Sequence, residues 1–431
     1  ALVALSAPFH MGSARILGIL SPSEMTVLLC AVGMLVTLRR SQRAGRSVWR
    51  RHHWSVVDLG VMGLLLAAVI SITLTDGDRS AAAYELFSIV AIPLLFYWLL
   101  RLAPLGPRAG RYIITGWVAG ALLMAVIGLT QFVLSSNIAL AEGGTPRLLS
   151  VYSSPNSAGI ALEWSWPLAL SAFLWGASRR DRMKGSVALT LISLALGLTL
   201  SRGAILLGLP AAILTMGLLA RGRYRAWALA LVALGAIVLL PLLRLPRFAS
   251  LLDLGQGSTF FRVELWRSTL AMLRDSPLLG AGLGQFESLY RTRYILPTAW
   301  AEPNQSHPHN IWLDLWTRLG ILGIASGVAL QYGFWRAVLR HGSVARASIK
   351  RSSAERRSST NLAEQTAQAP VLGPQFLGLA GGMAAALAHG LVDNTLCAPD
   401  LTLYLAIALA LVGNAVAGET TEGPSPGVLG S

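Results

Sequence analysis

A chain of 431 residues that is 54% hydrophobic and only 13% charged, with a mean hydropathy of +0.58, has more apolar surface than one soluble core could hide. Its formal net charge of +15 would point a soluble protein towards nucleic acid. Here the arginines gather in short loops between apolar segments, so the composition implies a polytopic membrane protein and no nucleic-acid partner. Cys30 and Cys397 are too few and too far apart for a disulfide framework or a metal-ligand spacing.

Apolar stretches of about 20 residues, enough to span a bilayer, are predicted near 16–37, 55–74, 82–100, 112–134, 157–177, 203–220, 226–243, 309–337, 371–392 and 400–418, with a shorter one at 185–200. A further piece, ALVALSAPF, sits within residues 1–15 and is expected to be re-entrant or a truncated twelfth segment. The expected fold is thus an all-α transmembrane bundle of 11 to 12 spans. It divides into an N-terminal bundle (1–243), an extracytoplasmic loop region (244–308), C-terminal helices (309–418) interrupted by a serine-rich linker at 338–370, and a cytoplasmic tail (419–431).

Basic residues orient these segments. Arg39, Arg40, Arg43, Arg46, Arg50 and Arg51 fill the first loop; Arg101, Arg108 and Arg111, then Arg179, Arg180, Arg182 and Lys184, then Arg221, Arg223 and Arg225 follow in alternate loops. These loops, and the linker with Arg340, Arg346, Lys350, Arg351, Arg356 and Arg357, are expected to face the cytoplasm. The opposite face then receives 75–81, 135–156, the turn at 201–202, the long loop 244–308, and 393–399.

Ionisable residues near that outer face are the candidates for chemistry. Glu85, Glu163, Arg202, Asp314, His389 and Asp393 are each expected within about two turns of an outer helix end, because charge inside an apolar segment usually faces a bundle interior or a wet cavity. Arg202 interrupts LTLSRGAILLG, so two short helices should meet there at an outer turn, and its guanidinium could grip phosphate oxygens bidentately. A helix beginning near Ser258 and ending before Pro277 carries Arg262, with Phe261, Leu265, Trp266, Leu270, Met272 and Leu273 suited to the membrane surface. GAGLG, at 280–284, lacks the context of a dinucleotide site and reads as a tight turn.

The stretch HPHNIWLDLWTRLGILG (307–323) stands where a polar loop meets an apolar segment. Ser306 or His307 is the expected cap and Pro308 the first helical residue, which puts His309 in the first turn, where the helix dipole favours a neutral ring able to act as a base. His307 and His309 could instead bind zinc, but no third ligand lies at a useful spacing, so no metal or other cofactor is expected. Trp312 and Trp316, one turn apart, suit an interfacial aromatic belt.

Five pieces together resemble the bacterial O-antigen ligase and polymerase family: PRLLSVYSSPNSAG (146–159), LSRGA (200–204), R-xxx-W with PLLGAGLGQF (262–286), HPHNIWLDLWTRLGILG, and HGLVDN (389–394). The resemblance implies a glycosyltransferase of the C class in the bacterial inner membrane, taking a glycan from undecaprenyl diphosphate on the periplasmic face. It casts His309 as general base with Arg202 and Arg262 on the diphosphate, and leaves Arg147, Asn156, His307, Asn310, Asp314, His389 and Asp393 as substrate-binding candidates. The acceptor would be a sugar of lipid A-core for a ligase, or another lipid-linked repeat for a polymerase; a protein-glycosylating relative is a third possibility. A lipid-linked glycan transporter, the reading from another class, should carry its charges near the bilayer midplane, whereas here they gather at outer ends.

Overall fold

The computed structural model describes residues 1–10, 20–43, 54–74, 76–103, 108–141, 144–242, 255, 257–355 and 372–421. The calls on Arg46, Arg50, Arg51, residues 244–254, most of the linker's second half and the end of the tail lie outside those residues. The described residues are 79% helical with almost no sheet. Among the described residues, five helices are long and apolar enough to cross a membrane: α2 (Pro22–Arg43), α3 (Val56–Leu74), the continuous Arg79–Leu102, α6 (Ala109–Val133) and the first part of α13 (Ile311–Gly342). Within Arg79–Leu102, α4 (Arg79–Glu85) passes through a π-helical turn, Leu86–Ala91, into α5 (Ile92–Leu102).

The other predicted segments are helices too: α7 (Pro155–Trp175), α8 (Arg179–Thr199), α9 (Leu209–Ala220), α10 (Arg223–Leu242), α14 (Pro374–His389) and α15 (Pro399–Thr421). The initial apolar piece forms α1 (Leu2–Ser6), a short buried helix whose backbone at Ala1 and Leu5 lies against Gly116 and Gly120 of α6. The sheet consists of β1 (Ile138–Leu140) paired antiparallel with β2 (Pro146–Leu148).

Small residues set the helix packing, as membrane interfaces require. Gly60 and Gly63 of α3 admit Leu330 and Ser326 of α13, and Gly333 admits Val57 in return. Likewise Gly378, Gly381 and Gly382 bring α14 onto Leu168, Pro167 and Trp164 of α7. Trp117 stacks on Tyr404 at 4.3 Å and 7° in the core between α6 and α15. At one end, Arg101 makes a bidentate pair with buried Asp58 (3.2 and 3.0 Å) and reaches Asn414, tying α5 to α3 and α15.

Two expectations need correction here. The membrane-surface helix is present as α11 (Gly257–Asp275), but Leu265 and Met272 pack with Ala281, Phe286 and Tyr290, so its apolar face is largely covered by the following loop and its short helix α12 (Phe286–Leu289). Helix α13 runs on to Glu355, so the first half of the linker 338–370, expected to interrupt the helices, is itself helical.

Gly320, in α13, has φ 63° and ψ −162°, a conformation open to glycine, and it kinks the helix. The kink frees the carbonyl of Thr317, which accepts from the backbone N–H of Ala281 (2.7 Å) and Gly282 (2.9 Å), while the N–H of Ile321 donates to the Leu278 carbonyl (3.0 Å). GAGLG is therefore a tight turn docked into a break in a helix, with Gly280, Gly282 and Gly284 all at positive φ.

Candidate active site

The turn between α11 and α13 carries His309 to its place. Asn310, not Ser306 or His307, caps α13: its Oδ1 accepts from the N–H groups of Trp312 (3.0 Å) and Leu313 (3.1 Å). His309 accordingly precedes the helix, at φ 48°, and the dipole argument for its ring does not apply. Two bonds instead fasten this corner to the loop after α14: Ile311 N–H to the Gly390 carbonyl (2.8 Å) and Asn310 Nδ2 to the Leu391 carbonyl (3.0 Å). That fastening sets His309 beside Asp393.

His309 Nδ1 lies 2.7 Å from Asp393 Oδ1, and Nε2 lies 3.2 Å from Gln305 Oε1. A carboxylate only accepts, so Nδ1–H is the donor; Nε2, turned away from Asp393, is an acceptor in the neutral ring when the Gln305 amide rotates to present its NH2 group in place of its oxygen. The other carboxylate oxygen, Oδ2, faces Arg262 Nη2 at 3.5 Å and His389 Nε2 at 3.9 Å. Burial opposes the charge on Asp393, but His309, His389 and Arg262 outweigh it and hold the carboxyl far below the usual carboxylate range. His307 is packed edge-on against His309, ring centres 4.3 Å apart, and its Nδ1 accepts from the His309 N–H. Burial and the neighbouring His309 push its pKa well below the histidine norm, so the His307 ring is neutral.

A second carboxylate lies behind the first. Glu163, fully buried on α7, meets His389 Nδ1 at 2.9 Å, so a row of alternating acid and imidazole runs Glu163, His389, Asp393, His309. Glycines make room for it: a Cβ on Gly203 would overlap the His389 ring, and one on Gly208 would overlap the Glu163 carboxylate. The predicted turn at Arg202 is present, with α8 ending at left-handed Leu200 and a π-helical turn, Ala204–Gly208, leading into α9. Arg202 itself reaches Ser258 Oγ at the start of α11.

Asn156, Ser258, Phe261, Arg262, Leu265, Tyr290, Glu302, Gln305 and His309 line a cleft of about 160 Å³. Arg262 Nε is buried there with no hydrogen-bond partner. Arg147 stands behind, donating to the Thr199 carbonyl (2.7 Å) and Asn156 Oδ1 (2.8 Å). The structure thus gathers His309, Arg262, Asp393, His389 and His307, with Arg202, Arg147 and Asn156 at the margin.

Asp314 and Glu85 go elsewhere. Asp314 accepts from Arg318 Nε at 2.8 Å, and Arg318 also pairs with Glu85, whose Oε2 accepts from the Gly284 N–H at 2.7 Å. This buried trio braces the kink. Arg318 was legible in the sequence as an arginine four residues after Asp314 on one helical face. Glu302, Gln305, Ser258 and Tyr290 carried no such local signal.

Tertiary structure also supplies the third candidate ligand that the spacing lacked: His307, His309 and Asp393 offer atoms within 4.8 Å of one another. The same carboxylate already faces the Arg262 guanidinium and His389, so a divalent cation would meet positive charge there. The donor set suits an ion pair with an anion beside it better than a metal.

None of the curated proteins matches the chain. Residues 187–326, which include Arg202, Arg262, His307 and His309, match the model of the O-antigen ligase family, so this stretch of the chain is similar to that family.

Proposed function

We propose that the protein is an inner-membrane glycosyltransferase that moves a glycan from undecaprenyl diphosphate to a sugar hydroxyl of lipid A-core on the periplasmic face, with inversion and without a metal. The single observation that carries this reading is the His309–Asp393–Arg262 constellation opening on a cleft, at the end of the bundle opposite the arginine-rich loops. In that frame the eleven apolar helices all span, the N-terminal bundle (1–243) and C-terminal helices (309–418) form one body, and the loop 244–308 covers its outer end.

The roles follow from geometry. An acceptor hydroxyl replaces Gln305 at Nε2 of His309 and gives up its proton there as its oxygen bonds the anomeric carbon. The bond from that carbon to the diphosphate oxygen breaks, and the diphosphate leaves with the electron pair. Asp393 holds the ring through Nδ1 and stabilises the imidazolium that forms. Arg262, whose Nε is open, and Arg202 take up the growing negative charge. Asn156 and Arg147 shape the cleft wall, His307 backs the base, and Asn310 and Asp314 act through the helix that carries the corner.

Incubating purified protein with a glycan on undecaprenyl diphosphate and a lipid A-core acceptor, then reading product mass and anomeric configuration, tests the proposal. Acceptor bearing one inverted glycan is expected. Growth of the glycan on its own lipid carrier would make the protein a polymerase, and absence of transfer to any acceptor would defeat the reading.

A further inference from the structure

A second cleft lies at the arginine-rich end, lined by none of the residues that line the candidate active site. It measures about 700 Å³, inside the range of ligand sites. Helices α6 and α8 pack together near Met124, Ala125, Ile192 and Leu196, and the cleft opens between them towards Arg111 and Lys184. Its floor is α7, against which Gly185 of α8 fits closely. Phe376, in the first turn of α14, closes the side, its ring 4.3 Å from that of His341 and tilted by 34°.

The lining changes character along its length. Val118, Ala119, Leu122 and Leu168 make an apolar trough, while Arg111 on one wall and Lys184 on the other mark its mouth. From Arg111 to Leu122 the trough follows α6 for eleven residues, about 16 Å at 1.5 Å per residue, which equals roughly half of a 30 Å hydrocarbon core. The trough is therefore as deep as one leaflet. Asp181, the acidic residue at the mouth, is drawn into a capping box with Ser178 (3.2 and 3.0 Å), and Arg179, Arg180 and Arg182 stand exposed beside it.

We infer that this groove is a binding site for an anionic glycerophospholipid of the surrounding leaflet, its phosphate held between Arg111 and Lys184 and one acyl chain laid against α6. Charge complementarity selects this occupant. A neutral chain would fill the trough equally well, but two cations facing each other across its mouth favour a headgroup of net negative charge, and a guanidinium grips a phosphodiester in a planar fork. The site is separate from the cleft at His309.

The test places a photo-crosslinking residue at Leu122 in the full chain, reconstituted in nanodiscs of equal parts phosphatidylglycerol and phosphatidylcholine, with a second version carrying it at exposed Ile237 of α10. Mass analysis of adducts should show phosphatidylglycerol and phosphatidylcholine captured at Leu122 in a ratio of at least five to one, against the bulk ratio of one to one at Ile237. Arg111→Glu combined with Lys184→Glu should return the Leu122 ratio to bulk while leaving Ile237 unchanged. A bulk ratio at Leu122 in the unmodified chain, enrichment that survives both charge reversals, or an adduct with a peptide of the chain itself would each overturn the proposal.

Discussion

Gly203 lies flat against the imidazole of His389, at a place where any Cβ would enter the ring. The residue before it is Arg202 and the residue beyond the ring is Asp393, 3.9 Å from His389 Nε2. One glycine thus couples the position of an arginine proposed for the diphosphate to the carboxylate that orients the proposed base. Its φ of −63° is ordinary helix, so alanine carries no backbone penalty and acts through the contact alone. Gly203→Ala should leave membrane insertion intact and reduce transfer about tenfold or more, by displacing His389. Full turnover in this variant, measured with the donor and acceptor assay, would separate the two sites.

The proposed base makes the strongest demand. His309→Ala should lower turnover by on the order of a hundredfold or more, with donor affinity largely kept because Arg202 and Arg262 remain. His307→Ala should cost far less, since its ring is neutral and backs His309 without facing Gln305. Chelation by EDTA should leave the rate unchanged. Chelator-sensitive transfer would instead favour a metal held by His307, His309 and Asp393.

Arg202→Lys and Arg262→Lys keep the charge and lose the planar fork. Each should reduce transfer about tenfold while the protein folds normally, and the loss should appear in donor affinity as well as turnover. Near-normal kinetics in both lysine variants would reduce these residues to structural anchors.

Asp393 makes a statement about pH. Its folded pKa is depressed, so its contribution to stability is present above the ordinary carboxylate value, about 4, and is lost only as pH falls below that towards the folded value. The difference in melting temperature between the unmodified protein and Asp393→Asn should therefore shrink as pH falls from about 5 to about 3. A difference that keeps its full size at about pH 3 would contradict the ion-paired carboxylate.

Asp314 should behave as a structural residue. Removing it leaves the Arg318 guanidinium with Glu85 alone in a buried setting, and breaking one side of such a network costs about 3–5 kcal/mol. Asp314→Ala should therefore lower the melting temperature in detergent and the yield of folded protein, with turnover per folded molecule little changed. A stable Asp314→Ala protein with poor donor binding would move this residue back to the substrate.

Hydropathy and arginine placement are sums over short stretches of chain, and they sufficed to locate the apolar helices and the amphipathic Gly257–Asp275. Charged residues near one set of helix ends were legible for the same reason, because burial in lipid restricts where charge can sit. How those residues pair was not. Glu85, Glu163, Asp314 and Asp393 look alike along the chain, yet Asp393 meets His309 across 84 positions and Glu163 meets His389 across 226, while Asp314 and Glu85 turn to Arg318. Those choices depend on how far helices approach and how they are rotated. That in turn rests on glycines whose absent side chains leave no periodic signal, and on a kink at Gly320 whose loose backbone groups find partners only in the folded turn at 278–282.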